Sequence, residues 1–395
     1  MALNTPTTTG QTSPLVMRII GAVALAHLIN DLIQSVLPSI YPMLKASYGL
    51  TFTQVGLITL TFQLTASLLQ PWVGYYTDRR PQPFLLPCGM ICTLVGILMM
   101  SQVGSFPLIL LAAGLIGIGS STFHPEASRV ARLASGGRYG LAQSTFQVGG
   151  NAGSAFGPLL AAAIIIPFGQ GNVAWFGLFA IFALVVLYAI SRWYRNHLNL
   201  FKLKAGGAAT HGLSKKRVMS ALVVLGLLVF SKYFYMASIT SYFTFYLIEK
   251  FDLSVASSQL HLFLFLGAVA AGTFFGGPIG DKIGRKAVIW FSILGAAPFT
   301  LLMPHVDLFW TSVIIGFVLA SAFSAIVVYA QELVPGNVGM IAGVFFGLMF
   351  GFGGIGAALL GHLADIHGIE YVYTLCSFLP LFGLLAIFLP RTRKS

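Results

Sequence analysis

The chain has 395 residues, 57% of them hydrophobic and only 8% charged, with a formal net charge of +12. A soluble domain carries about 25% charged residues, so this composition excludes an ordinary water-soluble fold and makes lipid the main solvent. The positive charge does not mark a nucleic-acid partner: the basic residues lie in short loops between apolar runs, where they set membrane orientation, and not on a separable basic domain.

Residues 1–16 are rich in Thr, Pro and Gly and hold no Lys or Arg. A secretory signal needs a basic start and a short apolar core. This segment is therefore expected to be a disordered tail, followed by an uncleaved first span. A membrane helix needs about 20 mostly apolar residues. Six such runs are predicted near 17–45, 52–77, 83–103, 106–129, 138–166 and 172–193. After a basic stretch, six more follow near 218–248, 256–280, 287–304, 308–331, 338–364 and 370–390. In this plan 19 of the 22 Lys and Arg residues fall on one side, Lys45 and Lys250 on the other, and Lys232 inside a span. Positive loops face the cytoplasm, which places both termini there. The expected organisation is a tail (1–16), a six-helix lobe (17–193), a cytoplasmic linker (194–217), a second six-helix lobe (218–390) and a short tail (391–395). Cys88, Cys92 and Cys376 lie inside apolar runs without a Cys-x-x-Cys and read as packing residues.

Gly276-Gly-Pro-Ile-Gly-Asp-Lys-Ile-Gly-Arg-Lys286 closes one apolar run and opens the next, and Gly74-Tyr-Tyr-Thr-Asp-Arg-Arg80 does the same in the first half. An offset of 203 positions aligns Asp78 with Asp281 and Gly74 with Gly277. A repeated charged hairpin at half-chain spacing indicates duplication, an architecture of transporters. Glycines such as Gly284 permit the tight turn. An aspartate there suits the positive N-terminus of a helix in the other lobe, and Arg79 and Arg285 stay near headgroups. The hairpins are thus expected to form a conformational switch.

The two hairpins, the six-plus-six plan and the central linker resemble the major facilitator superfamily of secondary transporters, over nearly the whole chain. Gly149-Gly-Asn-Ala-Gly-Ser-Ala-Phe-Gly-Pro158 is similar to the span-five motif of its antiporters. His27-Leu-Ile-Asn-Asp-Leu-Ile-Gln34, Phe123-His-Pro-Glu-Ala-Ser-Arg-Val-Ala-Arg132, Phe230-Ser-Lys-Tyr-Phe-Tyr-Met-Ala237 and Tyr329-Ala-Gln-Glu-Leu333 resemble its bacterial drug exporters. The resemblance implies a proton-driven exporter of the inner membrane whose substrate is a small anionic phosphonate drug. Many family antiporters carry an arginine in mid span four, but this chain has Ala113 before Gly117-Ile-Gly119. Proton coupling must then use other residues.

Read physically, Gly149, Gly153 and Gly157 recur every four residues, a smooth helical face for close packing, with Pro158 beside it. Gln143, Gln147 and Asn151 form a second face, which either lines a cavity or bridges helices. Charges inside spans are costly and mark functional sites by default. His27, Asn30, Asp31 and Gln34 share a face of span one. Asp31, with His27, is a candidate proton carrier, and Lys232 on span seven a candidate anchor for an anionic substrate. The alternative is an Asp31–Lys232 structural ion pair. Glu126 is a second candidate carrier, since a carboxylate out of water is more readily protonated, with Pro125 opening the helix; the alternative is an ion pair with Arg129 or Arg132. Glu332 reads as a solvated boundary charge. Tyr233, Tyr235 and Tyr242, with Ser231 and Ser238, are expected to line the substrate site with Asn30, Gln34, Gln147 and Asn151.

No Gly-x-x-x-x-Gly-Lys-Ser/Thr loop or His-Glu-x-x-His occurs, and His261, His305, His362 and His367 stand singly. No enzyme activity, cofactor or metal is expected. The expected partners are a small anionic substrate, protons and membrane lipids, with the chain acting as a monomer. The same charged cavity suits a symporter that imports an anionic metabolite, and a receptor or channel is a third reading.

Overall fold

A computed structural model describes residues 15–50, 52–198, 213–253, 255–304 and 308–390. Most of the expected N-terminal tail, most of the linker, residues 391–395 and His305 lie outside the described residues. Among those described, every regular element is helical.

Twelve elements cross the molecule in turn. In the first lobe they are α1 (Met17–Ser39), α2 (Phe52–Leu68 continued by Gln70–Arg79), α3 (Leu85–Met100), α4 (Phe106–Ala134), α5 (Tyr139–Leu160) and α6 (Phe176–Asn196). In the second they are α7 (Lys215–Phe251), α8 (Val255–Ile283), α9 (Arg285–Leu294 and Ala297–Leu302), α10 (Leu308–Ala320 and Ala322–Leu333), α11 (Val338–His367) and α12 (Ile369–Ser377 and Leu379–Phe388). Among the described residues nine of these spans, some of them joined from two pieces, are long and apolar enough to cross a membrane. The interruptions have local causes. Pro71 in α2, Pro298 in α9 and Pro380 in α12 each stand in the first turn of the second piece, where a missing N–H costs least. The 29-residue α4, in contrast, runs unbroken through Pro125. The opening expected there does not form, because every residue from Phe123 to Ala131 is buried and packing holds the helix continuous.

Within the first lobe α5 lies along α1, and α4 packs on α2 and α3; in the second, α11 packs on α7, and α10 on α8 and α9. The lobes meet where α5 faces α8 and where α11 faces α2 and α4. The pseudo-symmetry is visible in single contacts. Ser128 and Gln331 are 203 positions apart and touch, Gln331 Nε2 donating to Ser128 Oγ at 3.4 Å. Apolar side chains such as Trp72, Phe168, Trp175, Val185 and Trp310 project from the outer surface, which suits a protein whose surroundings are hydrocarbon.

The glycine face of α5 lies directly on α1. A Cβ added at Gly153 would meet the Leu28 carbonyl, and one at Gly157 the Ser35 hydroxyl. Gly153→Leu is therefore expected to cost about 1–3 kcal/mol through overpacking, read as a lowered thermal midpoint in detergent. Gly267→Leu, where nothing lies within 4 Å, serves as the neutral control.

Candidate functional site

The lobes are joined, at the end carrying the basic hairpins, by two aspartates that cap helices of the opposite lobe. Helix N-termini leave N–H groups without intrahelical partners. The N-cap residue of α11, Asn337, makes no side-chain capping bond. Asp78 of α2 supplies it instead: Gly339 N–H donates to Oδ1 at 2.9 Å and Met340 N–H to Oδ2 at 2.8 Å. At the other hairpin Gly140 N–H donates to Asp281 Oδ1 at 3.0 Å and Leu141 N–H to Oδ2 at 2.9 Å, so α8 caps α5. In both cases the donors are the second and third residues of the helix. Only glycine lets the backbones approach this closely: a Cβ at Gly74 would lie 2.6 Å from Met340 N, and one at Gly277 2.5 Å from Ser144 Cβ. Gly284 turns the second hairpin with φ 97°, a conformation that favours glycine.

The two caps are charged differently. Asp78 is held by the fully buried Arg129 of α4, Nη2 to Oδ1 at 2.7 Å, and Arg129 Nη1 also pairs with Glu126. Glu126 is thus paired with Arg129. Asp281 is held within its own hairpin by Arg285 at 2.6 Å, and Arg285 reaches Glu332 of α10 at 3.4 Å. Glu332 therefore takes part in an ion-pair network. Arg79 stays outside, its guanidinium over the Tyr75 ring.

Deeper in the interface, Asp31 is surrounded by polar groups of α1 and α4. His27 Nε2 lies 3.3 Å from Asp31 Oδ2, His124 Nε2 lies 3.6 Å from Oδ1, and Asn30 Nδ2 donates to Oδ1 at 3.0 Å. Each imidazole is anchored from behind. His27 Nδ1 is 2.8 Å from the Phe146 carbonyl oxygen and His124 Nδ1 is 3.0 Å from that of Ser120. A carbonyl only accepts, so both Nδ1 atoms carry a hydrogen and both Nε2 atoms face the carboxylate. Gln34 joins through Ser120, whose hydroxyl donates to Gln34 Oε1 at 3.3 Å. His27, Asp31 and His124 have donor atoms all within 4.8 Å of one another, the only such group of three among the described residues, and are the side chains here spaced to share a cation. His124 was not singled out from the sequence. It lies 97 positions from His27, and only the packing of α4 on α1 brings the two rings to 5.1 Å.

Aromatic rings from both lobes separate this cluster from Lys232. Phe146 stacks on His27 at 4.0 Å, Phe346 of α11 lies 6.0 Å from Phe146, and Phe323 of α10 lies 5.2 Å from Phe346. The Lys232 ammonium follows, 5.9 Å from Phe323 and 5.4 Å from Tyr233. It is 4% exposed and donates to the Ala320 carbonyl at 3.0 Å, beside the break in α10 at Ser321. Asp31 and Lys232 thus do not pair. Each is held by its own lobe, with the rings between.

The remaining predicted site residues divide. Tyr233 stays beside Lys232. Tyr235 is buried with its hydroxyl on Met303 Sδ at 3.3 Å, Ser231 donates to Leu379 O at 2.6 Å, and Tyr373 donates to the Ser238 carbonyl. That face of α7 packs into its own lobe. It does not line a space between lobes, because one helical face cannot meet both α12 and the interface. Tyr242 bonds the Ala357 carbonyl of α11. Asn151 bridges lobes by donating to Thr273 Oγ1 at 2.9 Å, and Gln143 accepts from Ser128 at 3.0 Å. Gln147 is buried with Oε1 lacking a hydrogen-bond partner. The Pro158 side chain lies outside the described residues.

Comparison with known proteins agrees with this architecture. The Major Facilitator Superfamily model matches residues 23–256 and 225–395. The fosmidomycin resistance protein of Escherichia coli (strain K12) is 61% identical over 380 residues, 95% of this chain and 94% of that one. An uncharacterized MFS-type transporter of Bacillus subtilis (strain 168), YfnC, is 41% identical over 94% of this chain and 92% of its own. Among solved structures, the human organic anion transporter MFSD10 superposes with a TM-score of 0.74 at 19% identity, covering 96% of this chain and 100% of that one. The transporter FucP in its outward conformation superposes with 0.71 at 14%, covering 94% and 99%. These structural likenesses speak for the fold.

The trans-caps make a testable claim about closure. Ser144 is buried against Gly277. In Asp78→Ala and Asp281→Ala variants, a Ser144→Cys thiol is expected to react several-fold faster with a water-soluble maleimide than in the parent. Charge-assisted bonds of this kind contribute about 1.5–3 kcal/mol each. Equal rates would show that closure does not depend on the caps.

Proposed function

The chain belongs to the Major Facilitator Superfamily, and we propose that it exports a small anionic drug of the fosmidomycin type across the bacterial inner membrane in exchange for protons, by alternating access. The observation that carries this reading is the pair of opposite charges held in opposite lobes, the half-buried Asp31 with its histidines and the buried Lys232 with its rings, divided by the Phe146–Phe346–Phe323 partition. The identity to a relative named for fosmidomycin resistance supports the choice of cargo.

In this reading Lys232 neutralises the negative charge of the cargo, while Tyr233 and Phe323 hold its body. The proton is carried by a carboxylate of the first lobe, the half-buried Asp31 or the buried Glu126. With the basic hairpins cytoplasmic, both termini are cytoplasmic as well. The trans-capped state is then closed to the cytoplasm. Glu126 connects the site to that closure: a change of charge on it alters how Arg129 is shared with Asp78, and so reaches the cap on α11.

The test is the purified chain in liposomes under an imposed pH gradient. Adding fosmidomycin is expected to move protons opposite to the drug. Lys232→Gln is expected to weaken drug transport at least about tenfold, as loss of one buried charged partner of 1.4 kcal/mol or more would. Asp31→Asn or Glu126→Gln, whichever removes the carrier, is expected to abolish the proton movement while drug binding persists. Proton movement in the same direction as the drug would replace the exporter with an importing symporter. Absence of any labelled fosmidomycin flux or exchange would remove the cargo assignment. Full coupling in both Asp31→Asn and Glu126→Gln would remove these carboxylates from the mechanism.

A further inference from the structure

We infer that His27 Nε2, His124 Nε2 and a carboxylate oxygen of Asp31 form a binding site for one divalent cation of the zinc class. This goes beyond the proposed function, because it rests on where three donor atoms point and not on which group carries a proton.

Both imidazoles keep their hydrogen on Nδ1 through backbone carbonyls of Phe146 and Ser120. Anchoring one ring nitrogen on a carbonyl is how metal-binding histidines are oriented. The Nε2 atoms then face a carboxylate, an arrangement that calls for positive charge among the three atoms, supplied by a proton on an imidazole or by a bound cation. Neither Nε2 has a hydrogen-bond partner. Their distances from Asp31, 3.3 and 3.6 Å, exceed the roughly 2.7–2.9 Å of a charge-assisted N–H···O bond. They run to different carboxylate oxygens, Oδ2 for His27 and Oδ1 for His124, and all the donor atoms lie within 4.8 Å of one another, so small side-chain shifts would bring them to the edges of a tetrahedron around zinc. With bonds of about 2.0–2.2 Å, ligand atoms stand roughly 3.3–3.6 Å apart. Two imidazoles and one carboxylate are a donor set for zinc that leaves a fourth position open. Asn30, donating to Asp31 at 3.0 Å, fixes the carboxylate from outside. The rings of Phe346 and Phe350 pack against His124 at 4.9 and 5.3 Å, so α11 of the second lobe covers the site. The expectation of no metal came from spacing along the chain, which does not see donors contributed by two helices.

The experiment is calorimetric titration of the full-length protein in detergent, tag removed, with zinc chloride and separately with magnesium chloride. One equivalent of zinc is expected to bind, with no saturable magnesium binding over the same range. His27→Ala and His124→Ala are each expected to weaken zinc binding about 10–100-fold. His197→Ala, whose ring bonds the Trp193 carbonyl on α6, is expected to leave it unchanged. X-ray absorption at the zinc edge of the unsubstituted protein needs no variant to fold; it is expected to show two imidazole nitrogens near 2.0 Å with oxygen completing the shell. No saturable zinc binding below millimolar concentration, an affinity in both histidine variants equal to that of the unsubstituted protein, or a shell with sulfur or with oxygen alone would overturn the inference. Since none of these readouts involves transport, a failed metal site and a failed exporter assignment are told apart.

Discussion

Two helix N-termini, each capped by an aspartate from the opposite lobe, are the constraint on which the rest of this arrangement depends. Each lobe covers its own core, so what holds the lobes in register has to act at their interface. A carboxylate that accepts from the second and third N–H groups of a helix does this with direction as well as energy. Asp78 fixes α11 against α2, and Asp281 fixes α5 against α8. The same two helices then bring Phe346 and Phe146 into the partition. A cap at one end of the molecule therefore decides how the rings meet at its centre.

The duplication is not repeated in charge. In the first lobe the cap is tied by Arg129 to Glu126 on α4, all three fully or nearly fully buried. In the second it is tied by Arg285, four residues further along, to a partly exposed Glu332. Removing one partner of a buried ion pair is far more costly than removing one at a wet edge. The first cap is thus the more rigid connection to the interior and the second the more adaptable. Asymmetry of this kind also separates the cluster of α1 and α4 from the lysine of α7, so that opposite charges lie in opposite halves without cancelling.

Alternative readings that could not be separated along the chain were separated by contacts. Glu126 and Arg129 pair, Asn151 and Gln143 bridge helices, and Asp31 and Lys232 keep apart. Tyr235 belongs to the packing of the second lobe, and Tyr233 to the rings beside the lysine. A face drawn on one helix shows which side chains lie together, but not which neighbour that face will meet.

The solvent, the twelve crossings and the duplication were legible along the chain. So was the family, because these follow from run length, loop charge and a motif repeated at a fixed offset, all of which are local quantities. Asp31, Glu126 and Lys232 stood out as well, because a charge within an apolar run is conspicuous wherever the run is placed. What each charge lies next to came from helix packing. His27 and His124 become neighbours when α4 lies against α1, and Phe146, Phe346 and Phe323 form one partition when α5, α10 and α11 converge. Residues far apart in the chain meet through helix packing, and helix packing is set by the whole set of surfaces at once and not by the period of any one of them.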